Sequence, residues 1–101
     1  MSIDFTKLLS DLGLSPTETR VYLASLKLGP TSVQEVAKAA KLSRTASYDV
    51  IAQLQERGLM STFERGKKKY FSAEEPERAI SYFRGRMHEL EEKIETFTRS
   101  L

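Results

Sequence analysis

From residue 76 onward Ile80, Phe83, Met87, Leu90, Ile94, Phe97 and Leu101 are separated alternately by three and four residues. That alternation is the a/d heptad repeat, which gives a helix one continuous apolar seam, and three heptads reach the lower limit for a coiled coil. About 26 residues at 1.5 Å each make a rod of about 39 Å. A domain this small cannot cover such a rod with its own body. The economical partner is a second copy, so Ile80, Phe83, Met87, Leu90, Ile94 and Phe97 are the expected dimerisation surface. If two copies run parallel, Arg86 at g meets Glu91 at the following e position, a favourable pair; an antiparallel arrangement also stays open.

The rest of the 101-residue chain has room for one modest core. With 40% apolar and 30% charged residues it has the balance of a folded domain and not of a disordered chain. Phe5, Leu8, Leu9 and Leu12 recur at helical spacing and Gly13 follows as a stop, which predicts a short amphipathic first helix. A second helix begins at Ser15 as N-cap, with Pro16 at the first position and Glu18 completing a capping box; Gly29 and Pro30 end it. Ser32 and Glu35 offer a second capping box, and Val33, Val36, Ala37 and Ala40 form a narrow apolar stripe behind it.

Leu42 and Ser43 then make a tight connection to a helix capped by Ser43, running to Arg57 and closed by Gly58. In it Ser47, Val50, Ile51 and Leu54 share one face, while Arg44, Thr45, Tyr48, Asp49 and Ala52 lie toward the other. The later turns anchor the helix and its first turns project a polar and aromatic surface. Tyr48 has a second reading, as a packing residue between helices.

After Gly58 the period changes to strict alternation, with Leu59, Ser61 and Phe63 on one side and β-favouring Tyr70 and Phe71 in the return strand. A type II′ turn at Gly66-Lys67 joins the strands and sets Arg65 opposite Lys68. Like charges facing each other cost stability unless an anion lies close by. Lysines at an exposed sheet edge also discourage aggregation.

Net charge is only +2, so its distribution carries more than its size. Lys38, Lys41, Arg44, Arg57, Arg65, Lys67, Lys68 and Lys69 stand against Asp49, Glu56 and Glu64, so the basicity gathers in the middle of the chain. From residue 76 onward the charges are mixed, as on a solvated helix.

Several classes of chemistry have no residues to carry them. There is no cysteine, which removes disulfides, thiolate metal sites and cysteine nucleophiles, and fits a cytoplasmic protein. His88 is alone in a charged helix, so no metal set can be built around it. The five glycines match neither phosphate-cradling pattern. Glu89, Glu91, Glu92 and Glu95 have no apolar pocket to raise a pKa. The opening "MSIDFTKLLSDLG" is not a secretory signal and no stretch approaches a membrane span. No enzyme activity, cofactor, metal or membrane partner is expected.

Helix, helix, short turn, helix and two-stranded hairpin is the element order of a winged helix-turn-helix. The expected fold is mainly α with a small β-hairpin: a winged helix-turn-helix over residues 1–75, then a long C-terminal coiled-coil helix over 76–101. Residues 12–73 resemble the N-terminal DNA-binding domain of the TrmB family of transcription regulators. The resemblance lies in "LGLSPTETRVYLASLKLGP" at 12–30, in "SRTASYDVIAQLQERGLM" at 43–60 with Arg44, Tyr48, Leu54 and Gly58, and in "KKKYFSAEEPE".

It implies a homodimeric, sequence-specific binder of double-stranded DNA that regulates transcription, with the 44–57 helix in the major groove and the 65–69 wing on the backbone or minor groove. Arg44, Thr45 and Tyr48 would face base edges or adjacent phosphates. Ser32 and Ser43 would place helix N-terminal N–H groups against phosphates. Arg65, Lys67 and Lys68 would make the wing contact, with Lys69, Lys41 and Lys38 adding to the field.

Larger members of that family carry a C-terminal effector domain, often for sugars. No small-molecule effector site is expected within this chain, which is either a small standalone regulator or part of a longer one. The alternative function is a winged-helix module that binds protein without specific DNA binding.

Overall fold

The computed structural model describes residues 4–101; residues 1–3, at the start of the expected first domain, lie outside the described residues. Five helices and one hairpin follow in the order α1 (Phe5–Asp11), α2 (Pro16–Leu28), α3 (Val33–Ala40), α4 (Arg44–Glu56), β1 (Met60–Arg65), β2 (Lys68–Ala73) and α5 (Pro76–Ser100). Mainly helical with a two-stranded antiparallel hairpin, this is the winged helix-turn-helix arrangement followed by a long C-terminal helix.

Local chemistry accounts for most boundaries. Ser15 accepts from the Glu18 amide at 3.1 Å while the Glu18 carboxylate accepts from the Ser15 amide at 2.9 Å, so the capping box of α2 is complete. Ser32 accepts from the Glu35 amide at 3.3 Å, but the return bond from Glu35 is absent, which corrects the expected second box to a simple N-cap. Ser43 caps α4 by accepting from the Ala46 amide at 3.0 Å. At its other end α4 stops at Glu56, one residue short of the expected Arg57. Gly58 takes φ 75°, and Leu59 and Gly58 donate to the Leu54 and Gln55 carbonyls at 2.8 and 3.0 Å, closing a Schellman motif.

The turn between α3 and α4 uses the same device without glycine. Lys41 takes the left-handed conformation at φ 58°, and Leu42 donates to the Ala37 carbonyl at 2.9 Å. In the hairpin Gly66 has φ 67°, and Lys67 is not among the positive-φ residues, as a type II′ turn requires. The register places Arg65 opposite Lys68 and Phe63 opposite Tyr70.

The core gathers Val21, Val36, Ile51, Leu54 and Leu59, each essentially without exposure, with Leu14, Tyr22, Val33, Ala40, Val50, Met60 and Phe71 around them. The α4 face of Ser47, Val50, Ile51 and Leu54 is buried throughout, as its spacing required. Two apolar expectations fare differently. In α1 only Leu9 is buried, leaving Phe5, Leu8 and, at its C-cap, Leu12 exposed, and in β1 Phe63 stays outside, stacked on Tyr70 at 5.8 Å.

An ion pair absent from the sequence reading ties α2 to the end of α4. Glu18, buried, lies 3.3 Å from the Arg57 Nε, and the Arg57 guanidinium also sits 6.0 Å from the Tyr82 ring of α5. Beyond Ala79, Tyr82 and Phe83, α5 leaves the body, and every residue from 84 to 101 is exposed. No helix among the described residues is long and apolar enough to cross a membrane.

Candidate nucleic-acid interface

The surface of interest is assembled by three segments whose positions are set by the core. α4 is held by its buried face, so its first turns must leave the body with Arg44, Thr45 and Tyr48 exposed. The hairpin is anchored by buried Met60 and Phe71, so its tip at 65–69 extends into solvent. The third segment is the loop before α3. Thr31 and Phe71 exchange backbone hydrogen bonds at 3.0 and 2.7 Å, an isolated antiparallel bridge that stitches this loop to β2. That bridge brings the N-terminus of α3 beside the wing.

Aromatic contacts fix the angle between helix and hairpin. The Tyr48 ring meets buried Phe71 edge-on, with centroids 5.9 Å apart and planes at 74°, and the Arg44 guanidinium lies 5.8 Å from the Tyr48 ring. Tyr48 packs α4 on the sheet and not on another helix, and 39% of it stays exposed.

Between these segments runs a groove of about 450 Å³ lined by Ser32, Gln34, Arg44, Tyr48, Lys67, Lys68, Lys69 and Tyr70 together with Val33. Four cationic side chains line it and no acidic one does. A concavity of one sign focuses the field on an anionic ligand more than the same charges spread over a convex surface. Val33 and Gln34, whose amides open α3 ahead of the one Ser32 caps, lie beside the same lysines and add the positive end of the helix dipole.

The structure thus brings Ser32, Arg44, Tyr48, Lys67 and Lys68 into one concave face. Ser43, Thr45 and Arg65 are exposed but do not line the groove. The Ser43 hydroxyl is already engaged in capping, and Arg65 lies 6.0 Å from the Phe63 ring, on the hairpin's other aromatic pair. Sequence reasoning missed Gln34 and Tyr70 as lining residues. Gln34 lies two positions after the Ser32 cap, where a side chain of the first turn faces outward, so the cap itself was the signal for it.

No group of three or more His, Cys, Asp or Glu among the described residues could hold a metal ion. His88, far along α5, pairs with Glu92 at 3.1 Å, both exposed.

Comparison with known proteins agrees with this architecture. TrmBL1 of Pyrococcus furiosus, an HTH-type sugar sensing transcriptional regulator, is 30% identical over 76 residues, which cover 75% of this chain and 22% of that protein. The archaeal chromatin protein TrmBL2, whose structure shows a novel mode of DNA binding, superposes with a TM-score of 0.81 at 21% identity, covering 95% of this chain and 38% of its own. A possible transcriptional regulator from Methanosarcina mazei Go1 superposes with a TM-score of 0.77 at 10% identity, covering 92% of this chain and 83% of its own. The chain therefore spans less than half the length of the first two, and all three relatives are regulators or chromatin proteins, not enzymes. The family described as sugar-specific transcriptional regulator TrmB matches residues 9–77, well over half of the chain, so the protein belongs to the TrmB family of winged-helix transcription regulators.

Proposed function

We propose that this protein is a sequence-specific, double-stranded DNA-binding transcription regulator that acts in the cytoplasm as a homodimer. Residues 1–75 form the DNA-binding part and 76–101 the dimerisation helix. α4 enters the major groove with Arg44, Thr45 and Tyr48 toward base edges or adjacent phosphates, where arginine is suited to bidentate contact with guanine. The wing of Arg65, Lys67 and Lys68 lies on the backbone or in the minor groove, and Ser32 and Ser43 present helix N-terminal amides to phosphates.

The observation that carries this reading is the single groove in which Arg44, Tyr48, Lys67, Lys68 and Lys69 meet without an acid. A protein-binding winged helix would rather expose an apolar patch at that place. The relatives that share the fold, one of them a DNA-binding chromatin protein, favour the same ligand. Because this chain spans 22% of the sugar-sensing relative, no sugar response is carried over to it.

Titration of a random duplex in mobility-shift assays at two salt concentrations tests the ligand. A binder that neutralises several phosphates loses affinity steeply as salt rises, with a log–log slope of roughly −0.9 per phosphate contact. Absence of binding at low salt, or binding without a salt slope, would overturn the DNA reading in favour of a protein partner. Selection of bound fragments from genomic DNA then tests specificity, with an inverted repeat expected from a two-fold dimer.

A further inference from the structure

The α5 seam is apolar at every a and d position from Ile80 onward and, apart from half-buried Phe83, lies open to solvent, with Met87 57%, Ile94 64% and Phe97 66% exposed. The body of the protein packs against one flank of it only. Ala79 is buried, Tyr82 and Phe83 pack on the core, and Arg86 lines a groove of about 510 Å³ with Asp11, Leu12 and Arg57, which the seam residues Phe83, Met87 and Leu90 also border. With Ile80 at a, Ala79, Tyr82, Phe83 and Arg86 fall at g, c, d and g. The body therefore occupies the c–g side of the helix and reaches the near edge of the seam at Phe83, Met87 and Leu90, leaving Met87 and Leu90 about half exposed and the seam beyond Leu90 bare.

We infer that a second copy of this chain covers that face with its α5 running antiparallel. Ile80 packs against the partner's Phe97, Phe83 against the partner's Ile94, and Met87 against the partner's Leu90. The inference rests on the self-association proposed above and adds its direction and register. In this register all six layers join an a residue to a d residue, and every phenylalanine meets an isoleucine, so the layers have nearly equal width. A parallel pair would stack Phe83 on its own copy, Phe97 on its own copy and isoleucine on isoleucine. Wide layers would then alternate with narrow ones, overpacking some and under-filling others.

Charge supports the same register. Arg84 and Glu91, both at e, have no ion-pair partner among the described residues. Antiparallel pairing sets Arg84 beside the partner's Glu91, and Glu91 beside the partner's Arg84. It also brings Arg86 toward the partner's Lys93, but Arg86 already holds Glu89 at 3.0 Å in its own helix. Exposed ion pairs count for much less than the fit of packed layers, so packing decides.

The arrangement has a consequence for the proposed DNA contact. In an antiparallel pair the two g flanks lie on the same side of the rod, so both bodies hang from one side. Their attachment points are roughly 18 Å apart along the rod at 1.5 Å per residue. Two bodies so placed can address neighbouring turns of one duplex, about 34 Å apart. A parallel pair would instead put them on opposite sides of one end.

The chain has no cysteine, so single introduced cysteines report pairing without interference. Differently tagged Ile80→Cys and Phe97→Cys proteins are mixed, allowed to exchange, oxidised and run on a non-reducing gel. The mixture is expected to give a covalent dimer carrying both tags, with each variant alone at least tenfold poorer. Like positions would be about 26 Å apart, whereas a disulfide needs Cα atoms within about 7 Å. Cross-linking of each variant alone as efficiently as the mixture would show parallel pairing and overturn the inference.

Because seam substitutions can weaken association, the same experiment is repeated with exposed Arg84→Cys and Glu91→Cys; like positions are then roughly 14 and 8 Å apart along the rod and the mixed pair about 3 Å, so the mixture is again expected to cross-link best, by a smaller margin. A dimer that cross-links in neither mixture also overturns the inference. If light scattering shows the unaltered chain to be a monomer at the concentrations used, self-association itself falls; if it shows a dimer with parallel cross-links, only the direction falls.

Discussion

Replacing Tyr48 by alanine separates what the residue does for the fold from what it does for a ligand. The residue is 39% exposed, so more than half of its surface is withdrawn from water. At about 1.5–3 kcal/mol for complete burial, that fraction contributes about 1–2 kcal/mol. The edge-on contact with Phe71 at 5.9 Å adds about 0.5–1.5 kcal/mol beyond area. Arg44, 5.8 Å from the ring and exposed, adds about 0.5 kcal/mol. The contributions overlap, so Tyr48→Ala is expected to lower stability by about 2–3 kcal/mol, while Tyr48→Phe, which keeps the ring, changes it by less than about 0.5 kcal/mol. Urea titration followed by circular dichroism measures both, with the denaturant slope unchanged. If Tyr48→Ala unfolds at the wild-type midpoint, the ring does not join α4 to the sheet, and the angle between recognition helix and wing needs another cause.

Arg57→Ala is expected to cost about 1–3 kcal/mol, because the Glu18 carboxylate keeps only the Ser15 amide and its Oε2, 3.3 Å from the guanidinium, is left buried and unpaired; Glu18→Gln in that background should recover part of the loss in thermal unfolding. Gly66→Ala forces a Cβ onto a residue at φ 67° and should destabilise by about 1–2 kcal/mol in the same assay, with no effect expected from crowding since nothing lies within 4 Å. The triple change of Lys67, Lys68 and Lys69 to alanine should leave unfolding unchanged and reduce the salt slope of duplex binding by about 2–3 units, on every sequence alike. Arg44→Ala should cost about 1–3 kcal/mol on the preferred operator and relax preference at one base pair; equal losses on operator and random duplex would assign Arg44 to phosphate contact alone.

What could be read from the sequence follows the range of the interactions involved. Ser15, Pro16 and Glu18, Ser43, and Gly58 act on backbone groups three to five residues away, so their caps and stops are written locally. The same holds for Gly66-Lys67, whose turn type fixes the register that sets Arg65 against Lys68. The Thr31–Phe71 bridge and the Glu18–Arg57 pair join residues about forty apart, and no local pattern announces them. Lys41 in the left-handed region is similar, since lysine carries no sign that a turn demands that conformation.

Periodicity shows which face of a helix is apolar but not what covers it. The stripe of α4 meets the core, whereas Phe5 and Leu8 of α1 and Leu12 at its C-cap, equally regular, remain exposed. For the candidate interface, the sequence supplied the basic residues and their elements. Their meeting in one groove depends on the Thr31 bridge and the Tyr48–Phe71 contact, both tertiary.

The central claim is that one cationic face per subunit, shared by the start of α3, the start of α4 and the wing, receives the duplex. Backbone amide shifts recorded by NMR during titration with a short duplex test it residue by residue. The amides of residues 32–34, 44–48 and 67–70 should shift together with a common saturation curve, and those of the middle of α2 should not. Shifts confined to one of the three segments, or centred on α1 and α2 while the lysine-bearing tip stays unchanged, would contradict it.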